Sequence, residues 1–231
     1  MNAEIWALAT ATPDFHVTRE EAYARITQLF EMAPEEKALY EKVLLRGPIR
    51  SRRFGMDRPE EALETDPDRL LERFLKHGSK LATQAARDAL AEAELKPEEV
   101  GAVVVNTCTG YLCPGLTSYV AEELALPPHV KAFDLMGMGC GAALPNLETA
   151  SGLLARRAEA RVLSIALEVC SATMVMGPSA DLVISNSIFA DGAAAAVLGC
   201  NGARPLCRLI DFESALVPRH REELRYRTEG G

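Results

Sequence analysis

Apolar and polar positions along the chain fall into two textures. The first hundred residues alternate short apolar runs with charged, helix-like stretches. Glu4 to Thr10 is apolar and is closed by the turn signal Thr12-Pro13-Asp14, which predicts a short buried strand. Thr18 followed by Glu20 and Glu21 predicts a helix start, because acidic side chains in a first turn complement the positive end of the helix dipole. Pro34-Glu35-Glu36 predicts a second helix, running to about Leu45. A basic loop follows, Arg46-Gly47-Pro48-Ile49-Arg50-Ser51-Arg52-Arg53. A long helix is expected from Pro67. Leu71, Phe74, Gly78, Ala82, Ala85, Ala89 and Ala93 recur at steps of three and four and so share one face. That face is mostly small, which permits close packing on a neighbouring element.

From about residue 101 strands and helices alternate. Strands are expected at Ala102 to Val105, Val130 to Leu135, Arg161 to Leu167 and Ala193 to Leu198, with Leu206 to Phe212 as a fifth. Helices are expected at Leu116 to Leu124, before Pro127-Pro128, and at Ala142 to Arg156. This order predicts an α/β fold: a mostly parallel, five-stranded sheet with helices on both faces. No linker-like stretch divides residues 1–231, so one domain is expected.

Composition narrows the function. The chain has 25 Lys and Arg against 33 Asp and Glu, a net charge of −8. Such a chain repels phosphate backbones, which argues against nucleic acid as a partner. No apolar run is long enough to span a bilayer, and Met1-Asn2-Ala3-Glu4 lacks the basic start of a signal peptide, so a cytoplasmic protein is expected. Six cysteines, none in a CxxC pair, suggest free thiols rather than a disulfide framework or a metal site.

One of these cysteines stands apart. Cys140 lies in Gly137-Met138-Gly139-Cys140-Gly141-Ala142-Ala143, between an expected strand and an expected helix. The glycines allow a tight turn and close approach of a ligand. A thiol there faces a helix N-terminus, where unpaired N–H groups and the macrodipole favour a thiolate. The arrangement is a cysteine counterpart of the strand–turn–helix elbow of serine hydrolases and suits attack on a thioester carbonyl. Cys108, Cys113, Cys170, Cys200 and Cys207 read as structural, since a buried Cys commonly acts as a small hydrophobe. Pro145 falls about one turn into the expected helix, where it would cost a backbone bond or a bend.

The chain resembles type III polyketide synthases, the chalcone synthase-like family of the thiolase superfamily. The resemblance is carried by Leu8-Ala9-Thr10-Ala11-Thr12-Pro13, by Asn106-Thr107-Cys108-Thr109-Gly110 through Pro114-Gly115, and by Gly139-Cys140-Gly141. It continues through Arg161-Val162-Leu163, Glu168-Val169-Cys170-Ser171 and Phe189-Ala190-Asp191-Gly192-Ala193-Ala194-Ala195, with Ala190 where the family has glycine. The resemblance implies the N-terminal half of a thiolase-like fold, the C-terminal half being absent. It implies an acyltransferase that loads an acyl group from acyl-CoA onto Cys140 for decarboxylative condensation with malonyl-CoA. It implies no metal and no redox cofactor, the CoA thioesters being substrates, and a homodimer or a pairing with a chain that carries the other half. Lys42 and Arg46 are placed at the CoA phosphates, with Arg50, Arg52 and Arg53 as competing cations. Thr109, Cys113, Met174 and Val175 are placed at the acyl pocket, Cys113 at the position that reaches the partner subunit and Met174 and Val175 near the gatekeeper aromatic.

The sequence departs from the family in its catalytic partners. The family uses a Cys–His–Asn triad with His and Asn far downstream. After Cys140 the only histidine is His220, in a charged stretch that lacks the family motif, and Asn146, Asn186 and Asn201 match no family asparagine. Glu229-Gly230-Gly231 falls near the end of the family's N-terminal half. The expected consequence is acylation without condensation, because the enolate left by decarboxylation needs preorganised donors that His and Asn would supply. Two alternatives stand beside this reading: a ketoacyl synthase III-like condensing enzyme served by an acyl carrier protein, and a non-catalytic half that pairs with a partner chain.

Overall fold

A computed structural model describes residues 3–157, 159–223 and 225. Met1, Asn2 and Glu229 to Gly231 lie outside the described residues. The strands are β1 (Glu4–Ala11), β2 (Phe15–Thr18), β3 (Ser51–Phe54), β4 (Val100–Thr107), β5 (Lys131–Met136), β6 (Arg161–Val169), β7 (Asp191–Gly199) and β8 (Cys207–Arg208). The α-helices are α1 (Arg19–Leu29), α2 (Pro34–Tyr40), α3 (Pro67–Glu92), α4 (Leu116–Glu123), α5 (Ala143–Arg156) and α6 (Ala180–Ile188).

Six strands form the main sheet in the order β5-β4-β6-β7-β1-β8. Strand β4 is parallel to β5 and β6, whereas β7 is antiparallel to both β6 and β1, and β8 is antiparallel to β1. Strands β5, β4, β6 and β1 therefore point one way, and the sheet is mostly parallel in direction although its right-hand pairs are antiparallel. The expected count of five becomes six because Glu4–Ala11 enters the sheet between β7 and β8. The last expected strand shrinks to Cys207–Arg208.

Continuous valines in β4 are explained by burial on both faces. Val103 and Val105 point to the layer holding α3 and α4, while Ala102 and Val104 point to the layer holding α5. Helix α3 lies over the alanines of β1 and β7 (Ala7, Ala9, Ala193, Ala195) through Ala82, Ala85, Ala86 and Ala89. Small residues on both sides set this close approach. The expected face holds at Phe74, which is buried, and is corrected at its start: Leu71 is 46% exposed, and Arg73 is buried instead. The Arg73 guanidinium donates to the carbonyls of Ser171 (2.7 Å) and Glu61 (2.6 Å), which satisfies it in that position.

A second unit packs against this sheet. Strands β2 and β3 pair antiparallel and, with α1, α2 and α6, enclose a core of Val17, Ala22, Tyr40, Leu44, Phe54, Met56 and Val183. Helix α1 starts at Thr18 as expected, through a reciprocal capping box with Glu21. The second expected helix keeps α-geometry only to Tyr40 and then widens into a π-type turn over Glu41–Leu45. Part of the basic loop is strand β3. No helix among the described residues is long and apolar enough to cross a membrane.

The α3–sheet contact yields a stability prediction. Ala85→Leu adds a side chain where the helix meets the sheet with no accessible surface left. It should lower the unfolding free energy by about 1–3 kcal/mol through overpacking, read as a lower urea midpoint with an unchanged slope.

Candidate active site around Cys140

Cys140 occupies the turn between β5 and α5, as the sequence predicts. Gly137 has φ +73° and Gly139 has φ +69°, so both sit in the left-handed region that disfavours other residues. The Ala142 N–H donates to the Gly139 carbonyl at 3.1 Å and closes the turn. Helix α5 has no side-chain cap, and Cys140 is exposed just ahead of its first turn. Pro145 is the third residue of α5, where an N–H would have no intrahelical acceptor. The expected lost bond or bend therefore does not arise.

Two further loops meet this turn. Glu168, near the end of β6, gathers the loop that follows β4. Its carboxylate accepts the Cys108 N–H at 3.1 Å, the Thr109 hydroxyl at 2.8 Å and the Thr107 hydroxyl at 3.3 Å. The Thr109 hydroxyl in turn accepts the Val169 N–H at 2.8 Å. Burial, with the Glu168 carboxylate beside it, pushes the Cys108 thiol far up, so it stays protonated. Burial pushes the Cys170 thiol up to about 12, with Asp191 and Glu168 adding to it.

Asp191, in the Phe189-Ala190-Asp191-Gly192 segment, ties the second unit to the site. Its carboxylate accepts the Gly55 N–H (2.5 Å), the Ser171 N–H (2.8 Å) and the Ser171 hydroxyl (2.5 Å). Burial raises its pKa against these bonds, which lower it. Asn146 was set aside by the sequence comparison, yet it is fully buried and carries the positioning of α5. Its amide donates to Asn106 Oδ1 (2.9 Å), the Ile165 carbonyl (2.9 Å) and the Val104 carbonyl (3.3 Å), and it accepts from the Ser164 hydroxyl (2.7 Å). Its signal in the sequence is a spacing of four with the buried Ala150 and Leu154.

A wide, open concavity of about 550 Å³ adjoins the turn, lined by Cys108, Thr109, Gly110, Tyr111, Gly137 and Thr173, among others. Of the expected pocket residues, Thr109 lies in this concavity. Cys113 is exposed on the loop that follows and does not line it. Met174 lines a different, apolar cavity under α1, and Val175 is half exposed. The structure therefore does not bring these four together. Lys42 lies on the π-type turn and Arg46 caps it; both are exposed, with no carboxylate within 4 Å among the described residues. Two of the competing cations are engaged internally: Arg52 donates to the Asn186 and Phe189 carbonyls, and Arg53 to the Pro13 and Asp14 carbonyls. His220 is exposed and contacts Arg219 and Glu223. Among the described residues no three His, Cys, Asp or Glu side chains converge as metal ligands.

Residues 7–206 match the FAE1/Type III polyketide synthase-like protein family. The chain belongs to this family. An alpha-pyrone synthesis polyketide synthase-like protein of Mycobacterium tuberculosis, Pks18, is 30% identical over 205 residues, 86% of this chain and 52% of the relative. A 3,5-dihydroxyphenylacetyl-CoA synthase of Streptomyces toyocaensis is 30% identical over 170 residues, 70% of this chain and 44% of the relative. Among solved structures, the fungal type III polyketide synthase ORAS superposes with a TM-score of 0.82 at 27% identity, covering 95% of this chain and 62% of that one. The chain thus spans about half the length of the curated relatives it matches. The type III polyketide synthase family and thiolase-like fold inferred from the sequence are those of these relatives.

Two measurements check the site. In native protein at pH 8, iodoacetamide should label the exposed Cys113, Cys140 and Cys207 while Cys108 and Cys170 stay unlabelled, as peptide mass spectrometry would show. Labelling of Cys170 should rise only as pH nears 12, because its thiolate is scarce below that value. Asn146→Leu should cost about 1–3 kcal/mol, since it strands the Ser164 hydroxyl and the Asn106 amide without their partner; equilibrium unfolding reads this directly.

Proposed function

We propose that this chain supplies the acyl-accepting cysteine of a decarboxylative condensing enzyme of the type III polyketide synthase kind. The observation that carries the reading is Cys140, exposed at the start of α5 on a turn with two positive-φ glycines, one of which, Gly137, lines an open concavity. The Cys140 sulfur attacks the carbonyl carbon of an acyl-CoA. The carbon–sulfur bond to CoA breaks, the CoA thiol leaves with the proton, and the acyl group stays on Cys140 as a thioester. Malonyl-CoA then loses carbon dioxide, and its enolate carbon attacks the acyl-cysteine, extending the acyl group by two carbons and freeing the thiolate. The thioesters supply the activation, so no cofactor enters.

Within this reading Lys42 and Arg46 hold the CoA phosphates, which needs exposed, unpaired cations. The second step needs donors for the enolate oxygen. A second α/β unit that carries a His and an Asn supplies them, in the same polypeptide or in a partner. The ketoacyl synthase alternative rested on the basic stretch from Arg46 to Arg53 as a carrier-docking patch. With Arg52 and Arg53 turned onto backbone carbonyls, that patch is reduced.

Intact-mass spectrometry after mixing with acyl-CoA tests the reading. A single acyl adduct on Cys140, lost in Cys140→Ala, is expected, and no ketide product should form until a His- and Asn-bearing unit is added. Lys42→Ala should raise KM for the acyl-CoA about tenfold, the scale of one charged hydrogen bond of about 1.5 kcal/mol, with kcat unchanged. Absence of any Cys140 adduct with the second unit present, or a strict demand for acyl carrier protein, overturns the proposal.

A further inference from the structure

Cys140 lies past the C-terminal end of β5, and a small notch opens at the other end of the same strand. The six residues of β5, at about 3.3 Å each, set the two ends about 20 Å apart. Gly101 of β4, Lys131 of β5, Arg156 and Arg157 at the end of α5, and Ala160 just ahead of β6 line the notch, among others. It shares no residue with the concavity at the cysteine turn. Its floor is an irregularity in the sheet. Val100 pairs with Arg161 and Ala102 with Val162, so Gly101 is the extra residue of a bulge. A bulge leaves that residue outside the ladder and bends its strand.

Three cations meet here in a chain whose net charge is −8. Lys131, Arg156 and Arg157 are exposed, and none has a carboxylate within 4 Å among the described residues. Of the acidic residues nearest along the chain, Glu99 accepts the Lys96 N–H at 2.9 Å, and Glu98 and Glu159 are exposed and pair with none of the three. The negative end of α5 by itself accounts for Arg156 and Arg157, since cations are favoured there. It does not account for Lys131, which opens a strand. That helix end carries about half a negative charge, less than the three positive side chains around it. Like charges around one notch repel, and an anion at its mouth reverses the sign of each of those interactions.

We propose that this notch binds a phosphate monoester group or free phosphate, one oxygen seated in the notch and the others held at its mouth by Lys131, Arg156 and Arg157, whose exposed ends are free to turn onto it. The notch holds about 30 Å³, the share of a single water in the liquid, so it seats one oxygen and leaves the rest of the anion outside. Arg holds phosphate oxygens as a fork and Lys as a point charge. A carboxylate would bring two oxygens and one charge to three cations, whereas a phosphate monoester brings three free oxygens and close to two charges at neutral pH. This site stands independently of acyl transfer at Cys140.

The test uses the full chain labelled with nitrogen-15, near pH 7.5, with chloride holding the ionic strength constant. Titration with inorganic phosphate and with phenyl phosphate should shift the Gly101, Ala102 and Ala160 amide signals saturably. Dimethyl phosphate, a diester with one charge, and acetate should bind about fivefold more weakly or worse, the scale of one exposed charge contact. Lys131→Gln and Arg156→Gln should each weaken phosphate binding by a similar factor, and Lys131→Arg should keep most of it. Lys37→Gln removes an exposed cation on α2 and should change nothing. Cys140→Ala should bind phosphate as the parent does. Coenzyme A carries a monoester at its 3′ position, and dephospho-coenzyme A lacks it. Tighter binding of the first than of both the second and inorganic phosphate would identify a nucleotide-borne monoester as the source, and tighter binding of inorganic phosphate would identify the free ion. Shifts that do not saturate, equal binding of acetate, no effect of Lys131→Gln, or an equal loss in Lys37→Gln would each overturn the assignment.

Discussion

The site depends on one buried amide. Helix α5 begins with no side-chain cap and with a proline in its first turn, so little in its own sequence fixes where it starts. Asn146 does that work from the fourth position. Its side chain reaches a carbonyl of β4, a carbonyl of β6 and the side chains of Asn106 and Ser164, all without accessible surface of its own. In a low-dielectric setting each of these bonds is costly to leave unmade. The start of the helix is therefore held over the middle of the sheet, and the cysteine turn that precedes it inherits that position.

The other walls of the site are held by carboxylates acting on backbone. Glu168 fastens the loop after β4, and Asp191 fastens Gly55 and Ser171 across two units of the fold. Neither carboxylate is paired with a cation among the described residues. Both exchange water for N–H and O–H donors, which is how a buried carboxylate is satisfied without an ion pair. The side effect is electrostatic. Burial first, and the negative groups beside them second, discourage ionisation of Cys108 and Cys170, while Cys140 is exposed.

Local signals were legible and long-range ones were not. Thr18 with Glu20 and Glu21 marked a helix start that the capping box with Glu21 realises, and the valines of β4 announced burial on both faces. The glycines around Cys140 announced a turn, and two of the three take positive φ. By contrast β2 pairs with β3 across more than thirty residues, and four-residue strands carry too little periodicity to be seen alone. Helix α6 follows Gly177-Pro178 and is short and polar in places, so its pattern reads as loop. Thr173 and Met174 show the same limit at the site: a resemblance supplies which stretch lies near a pocket, but side-chain direction alternates along the chain, and one residue decides which cavity is lined.

Exposure of Cys140 has a chemical consequence of its own. A thioester exchange at an open cysteine needs little more than access, since charge on the tetrahedral oxygen is brief and water stabilises it in part. Decarboxylation asks for more. Its enolate is worth forming only where fixed donors replace water, because an effective dielectric near that of bulk solvent reduces an interaction at 4 Å to about 1 kcal/mol. The concavity at the cysteine turn is wide and open, and the side chains that line it include the Cys108 thiol, the Thr107 and Thr109 hydroxyls already engaged by Glu168, and Tyr111, which is 71% exposed. None of these is a preorganised cation or amide aimed into it. In the proposed reading the two steps thus make different demands on the fold, and what the described residues supply is the exposed cysteine that the first requires.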